Sequence, residues 1–179
     1  MKSLNLSILM LITVITISCQ QGFYKKNDNR NITNEAIEEA AQTMSQFRTT
    51  SPFNLDNKRL FLLNKFQAYS DSLANTTFNE YLNSSEEISI NMENTIPMLY
   101  FYREAFNKVL DEVKNTKVKN GSTQVWMLYN MGFVVKTPSG CFGIDIDHRL
   151  AEQLEPHLDF LCVTHNHGDH FNIKLIEAM

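Results

Sequence analysis

The hydrophobic period changes at Lys119-Asn120-Gly121, and no other feature restricts the fold of this chain so strongly. From Thr33 to Lys117 apolar residues recur at three- and four-residue steps, the spacing that keeps them on one side of a helix. Ala36, Ile37, Ala40, Ala41, Met44 and Phe47 form the first stripe. Glu35, Glu38 and Glu39 lie near its start, where negative charge complements the helix dipole. SPFNLD interrupts the stripe, since Pro52 cannot continue a helix and Asp56 can cap the next one. Leu62, Phe66, Tyr69 and Leu73 make a second face. A third segment starts near Thr95-Ile96-Pro97, with proline in a permitted first turn, and carries Leu99, Tyr102, Phe106, Val109 and Val113. Stripes of this kind pack a core, so residues 33–118 read as a helical module rather than a ligand groove.

After Gly121 the residues favour strands. QVWMLYNMGFVVKT, residues 124–137, is rich in β-branched and aromatic side chains and reads as one strand. Pro138-Ser139-Gly140 is turn chemistry, and Cys141–Ile146 closes a hairpin. HRLAEQLE predicts a short helix stopped near Pro156, with Asp147 as a cap. Leu158–Thr164 predicts a strand buried on both faces, and FNIKLIEAM a further helix. The order is β-β-α-β-loop-α, an α+β arrangement. Cys141 and Cys162 fall in apolar runs and read as buried free thiols, with no zinc-finger spacing.

The other end of the chain carries a targeting signal. Lys2 precedes LNLSILMLITVITI, an uncharged run too short for a bilayer span, which needs about 20 apolar residues. A positive residue, a short apolar run and a small residue describe an export signal, with an uncleaved anchor as the other reading. TISC-QQ resembles the lipobox of bacterial lipoproteins, although Thr16 stands where those sequences usually carry Leu. The resemblance implies lipid on Cys19, a signal over residues 1–19, and a protein exported to the outer membrane or periplasmic face. Residues 20–32 then read as a polar tether. The net charge of -4 gives no electrostatic case for a nucleic-acid partner.

The candidate chemistry sits in FLCVTHNHGDHFN, residues 160–172. A strand presents alternate side chains on one side, so His165 and His167 can face a common ion. Gly168 allows a sharp turn that returns Asp169 and His170 to the same place. Imidazole nitrogens and a carboxylate are zinc ligands. Four of them on one segment suit two ions about 3.5–4 Å apart better than one. Asn166 and Gly168 read as loop formers, and His148 and His157 as exposed residues outside the site.

HNHGDH fits the HxHxDH motif of the metallo-β-lactamase superfamily at every defined position. A hairpin, a helix and a buried strand leading into the motif resemble the first half of that superfamily's αββα sandwich. The barrels of amidohydrolase-like enzymes also open on strand-HxH, but they lack the Asp-His pair. The resemblance covers residues 122–179 and implies a hydrolase holding two zinc ions. It implies His165 and His167 on the first ion, Asp169 and His170 on the second, Asp169 in the proton transfer, and Asp145 as a structural aspartate. The substrate would be a small molecule with an ester, amide, lactone or phosphoester-type bond. The superfamily's later ligands do not follow the motif here, so the chain reads as part of a longer enzyme with little activity of its own. The alternative is a non-catalytic exported lipoprotein acting as a binding module.

Overall fold

The computed structural model describes residues 29–51, 53–129 and 131–179. The segment read as an export signal, Cys19 and most of the segment read as a tether lie outside them. No helix among the described residues is long and apolar enough to cross a membrane.

Five helices come first: α1 (Asn29–Arg48), α2 (Asn57–Ser72), α3 (Asn75–Asn83), α4 (Glu86–Glu93) and α5 (Pro97–Asn115). α1 begins inside the segment read as a tether, and α3 and α4 occupy a stretch with no clear sequence period. Local chemistry sets the boundaries. The Asp56 carboxylate accepts the Arg59 N–H at 2.8 Å and starts α2, as its sequence position predicts. Ser85 caps α4 in the same way, and Pro97 opens α5.

α5 organises the molecule because its two halves serve different cores. Leu99 and Tyr102 pack with Tyr81, between α3 and α4. One to three turns later Phe106, Leu110 and Val113 pack with Trp126, Leu128, Val134 and Ile146 of the strand region. Each of these burials stabilises by roughly 1.5–3 kcal/mol, so the helical module and the sheet gain from one shared element. Polar contacts fasten the same junction. Trp126 Nε1–H donates to Glu112 at 2.7 Å, and the Lys136 ammonium donates to the Val113 carbonyl near the end of α5. Arg149 reaches the carbonyls of Tyr81 and Leu82 at 2.9 and 3.2 Å, and Ser89 Oγ at 2.9 Å.

The sheet is four-stranded in the order β1 (Gln124–Met127), β2 (Met131–Thr137), β3 (Gly140–Asp147) and β4 (Phe160–Cys162). β1, β2 and β3 pair antiparallel, and β4 joins β3 parallel. The chain is therefore α+β with a mixed sheet. A 3-10 helix, Ala151–His157, makes the crossover to β4, and α6 (Ile173–Ala178) packs beside it. Residues 124–137 form two strands and not the single expected one. The Leu128 N–H donates to the Gly132 carbonyl at 2.9 Å, which folds the segment into a tight hairpin.

Three further expectations are corrected. β4 is three residues long, lies at the sheet edge and turns only Leu161 towards the core, with Phe160 and Cys162 exposed. Its apolar composition suited an interior strand, but no described layer covers its outer side. Cys162 is consequently exposed, whereas Cys141 is buried on the face towards α5. Asp147 ends β3 and caps nothing, because Leu150 occupies the cap position of the 3-10 helix. Val125, Met127, Phe133 and Phe160 are exposed, and Phe142 stacks on Phe160 at 4.8 Å.

Candidate metal centre

The three histidines of HNHGDH converge. His165, His167 and His170 each offer a ring nitrogen, and these atoms lie within 4.8 Å of one another. Zinc–imidazole bonds of about 2.0–2.1 Å place ligand nitrogens somewhat closer than this around one ion, so modest side-chain adjustment completes the approach. The donor chemistry fits a divalent metal. His165 and His167 are exposed and His170 half-buried, which leaves the group open to solvent on one side.

The loop is tied at both ends. At its start Asp145 accepts the Thr164 N–H and the Thr164 hydroxyl, each at 2.7 Å. At its end Asn172 donates to the His148 carbonyl at 3.0 Å and caps α6 through the Leu175 N–H. Between them the His167 N–H bonds the His165 carbonyl at 3.0 Å, and the His170 N–H bonds the His167 carbonyl at 2.9 Å. These two tight turns put His170 beside His165, with ring centroids 3.9 Å apart. Gly168 is not what permits the turn. Its φ lies outside the left-handed region, and a Cβ there would meet nothing within 4 Å.

Asp145 orders the site. It is the only non-glycine residue with positive φ among those described, at 49°. Aspartate tolerates this conformation better than most residues. The cause lies across the hairpin, where the register slips between Met131 and Phe133 so that Gly132 faces two residues of β3. A Cβ on Gly132 would stand 2.4 Å from the Asp145 carbonyl oxygen, so only glycine fits. The bulge re-aims the Asp145 carboxylate towards the end of β4. There Thr164 holds it ionised by hydrogen bonding, with His170 adding to the effect, and its pKa falls to about 2.

Hydrogen bonds of the second layer orient the imidazoles. Thr164 gives its proton to Asp145 and so can accept from His165 Nδ1, 3.0 Å away. This leaves His165 Nε2 to face an ion. His170 Nδ1 lies 3.1 Å from Asp145 Oδ2, out of line for a hydrogen bond. Asp169 pairs closely with His167 Nδ1 and stands 3.8 Å from His170 Nε2. The His167 contact holds the Asp169 carboxyl below its usual range.

All four residues of the motif and Asp145 therefore meet in one place. His170 gathers with His165 and His167, while Asp169 sits against His167 and 3.8 Å from His170. Thr164 escaped the sequence reading. Its position between a strand and the first histidine was visible, but its tie to Asp145 requires the β3–β4 pairing. His148 was expected to be exposed and is instead 1 % exposed. Its ring lies between Tyr102 and Phe106, at centroid distances of 3.9 and 4.3 Å, outside the metal-binding group. His157 is half-buried and also remains outside it.

No protein-family model matches this chain, and neither the curated proteins nor the solved structures include one with significant similarity to it.

Proposed function

We propose that the histidine loop is the zinc-binding segment of a hydrolase resembling the metallo-β-lactamase superfamily, with the mixed sheet as part of an αββα-like sandwich. The observation that carries this reading is the gathering of three imidazoles at one strand end, with the Asp145 carboxylate beside His170 and tied to His165 through Thr164. Zinc held there would supply a hydroxide near neutral pH. His165, His167 and His170 would hold the ion, and Asp169 would add a donor for a second one. Asp169, beside His167, would also take and return a proton. Asp145 and Thr164 are positioning residues that fix which ring nitrogen faces outward. The substrate class is a small molecule with an ester, amide, lactone or phosphoester-type bond. Export and lipid attachment at Cys19 would place the site on the outer side of a membrane.

A second reading, a metal-binding lipoprotein without turnover, has one observation in its favour. Among the described residues, His165, His167 and His170 of one loop are the only group of three or more ligating side chains. Calorimetric titration of the full chain with zinc tests what the two readings share. Substituting any of the three histidines by alanine should weaken binding at least about tenfold, the usual effect of disturbing a metal shell. Unchanged affinity in all three variants would sink both readings. Zinc-dependent cleavage of an ester, thioester, lactone, lactam or phosphodiester, lost in His165→Ala, selects the hydrolase. Tight zinc binding without cleavage of any of these fits the second reading and equally a hydrolase whose remaining ligands lie on another segment.

A further inference from the structure

Two separate frames hold the loop that carries the histidines. Its first end belongs to the sheet, through Asp145 and Thr164. Its second end belongs to the helical module, although that module supplies no member of the ligating group. Leu175 of α6 is fully buried in the core that α5 builds with Phe106, Leu110 and Val113. Asn172, two residues after His170 and three before Leu175, joins that anchor to the loop.

Asn172 uses both halves of its amide. Oδ1 accepts the Leu175 N–H at 3.2 Å and caps α6, while Nδ2 donates to the His148 carbonyl at 3.0 Å. That carbonyl is itself fixed. It also accepts the Ala151 N–H at 2.9 Å, and the His148 ring lies between Tyr102 and Phe106 of α5. The next N–H along, that of Arg149, donates to the Tyr102 hydroxyl at 3.1 Å. α5 therefore grips residues 148–149, and these grip Asn172 just past His170.

His170 depends on this grip more than its neighbours do. A metal-binding imidazole ordinarily takes its direction from a hydrogen bond on the nitrogen that does not face the ion. His165 has such a partner in Thr164, and His167 has one in Asp169. His170 Nδ1 has no hydrogen-bond partner among the described residues, and its Nε2 stands 3.8 Å from Asp169. The direction of the His170 ring is thus set by its backbone, and the backbone is set by the anchor that follows it.

We infer that Asn172 and Tyr102 are positioning residues for His170. Tyr102 holds the His148–Arg149 segment, that segment holds Asn172, and Asn172 fixes the side from which His170 approaches an ion. The helical module is in this way part of the frame of the metal centre. The inference rests on the metal-binding reading for its consequence and on this hydrogen-bonded series for its geometry.

Three variants of the full chain, compared well below their unfolding midpoints, separate this role from general stability. Asn172→Ser keeps a capping oxygen for α6 but lacks the amide that reaches the His148 carbonyl. Tyr102→Phe keeps the ring against His148 and removes the acceptor of the Arg149 N–H. Tyr81→Phe is the control, since it takes a buried hydroxyl from Glu93 in the same helical core and leaves residues 148–149 their partners. Without metal, the rings of His165 and His170, 3.9 Å apart between centroids, should give a strong nuclear Overhauser effect between their protons. The effect should persist in Tyr81→Phe and be lost in Tyr102→Phe and Asn172→Ser. Zinc affinity, read by calorimetry, should fall at least about tenfold in the same two variants and stay native in Tyr81→Phe. A native Overhauser effect in both Tyr102→Phe and Asn172→Ser overturns the inference whether or not zinc binds. So does an equal loss in Tyr81→Phe, which would mean that any loosening of the helical module suffices, or a lost effect with native zinc affinity. A native chain that shows the expected Overhauser pattern yet binds no zinc sinks the metal-binding reading and leaves the positioning of His170 standing.

Discussion

His148 gives the sharpest test of the packing, because a buried imidazole couples folding to pH. Its ring is sandwiched between Tyr102 and Phe106, and Nδ1 accepts the Leu150 N–H at 3.1 Å. Burial penalises the charged form and lowers the pKa from 6.5 to about 3. The sign follows from proton uptake. Below pH 6.5 the unfolded chain binds a proton that the folded chain excludes, so stability falls as pH drops, until the folded-state pKa is reached. At pH 5 the gap to the unfolded value is about 1.5 units, a loss of about 2 kcal/mol relative to pH 7. His148→Phe removes the titration and keeps a ring between Tyr102 and Phe106. It leaves the Leu150 N–H without its acceptor, which costs about 1–3 kcal/mol at every pH. Urea unfolding of both proteins at pH 7 and pH 5, at constant ionic strength, isolates the effect, since other groups cancel in the comparison. The native chain should lose about 2 kcal/mol more than the variant between the two pH values. Equal losses would refute the buried neutral imidazole, and with it the packing of α5 against the end of β3.

Two other substitutions probe the framework of the site. Gly132→Ala should destabilise by about 1–3 kcal/mol and weaken zinc binding, because its Cβ meets the Asp145 carbonyl and forces the bulge apart. Gly168→Ala should change stability by less than about 0.5 kcal/mol, and thermal unfolding of the pair checks the contrast. Arg149→Met retains an apolar stem but strips hydrogen bonds from the Tyr81 and Leu82 carbonyls and from Ser89. It should lower stability by about 2–3 kcal/mol, read as a shift in the urea midpoint; an unchanged midpoint would mean that water replaces the guanidinium freely.

Much of the local structure was legible along the chain. The change of period at Lys119-Asn120-Gly121 separated helices from strands, because residues at three- and four-residue steps can share only a helical face. Asp56 and Pro97 marked helix starts through short-range chemistry that needs no tertiary partner. The spacing of His165, His167, Asp169 and His170 was itself an argument for convergence, since two tight turns on a strand end bring such residues together. The short helices α3 and α4 carried no comparable period, and tertiary packing through Tyr81 on the shared face of α5 holds them.

The arrangement around the histidines was decided elsewhere in the fold. Thr164 became the partner of Asp145 only when β4 paired with β3, across nineteen positions of sequence. Gly132 looked like any strand glycine until the register slip placed the Asp145 carbonyl against it. His148 looked like a surface residue at a helix start, and α5 enclosed it between two aromatic rings. In each case the deciding contact joins segments distant in sequence, and its strength depends on burial and alignment that no local pattern encodes. Sequence alone thus determined which residues could bind a metal, by their chemistry and spacing. The tertiary structure decided which nitrogen His165 presents, because the Asp145 carboxylate that orients it through Thr164 is supplied from another strand.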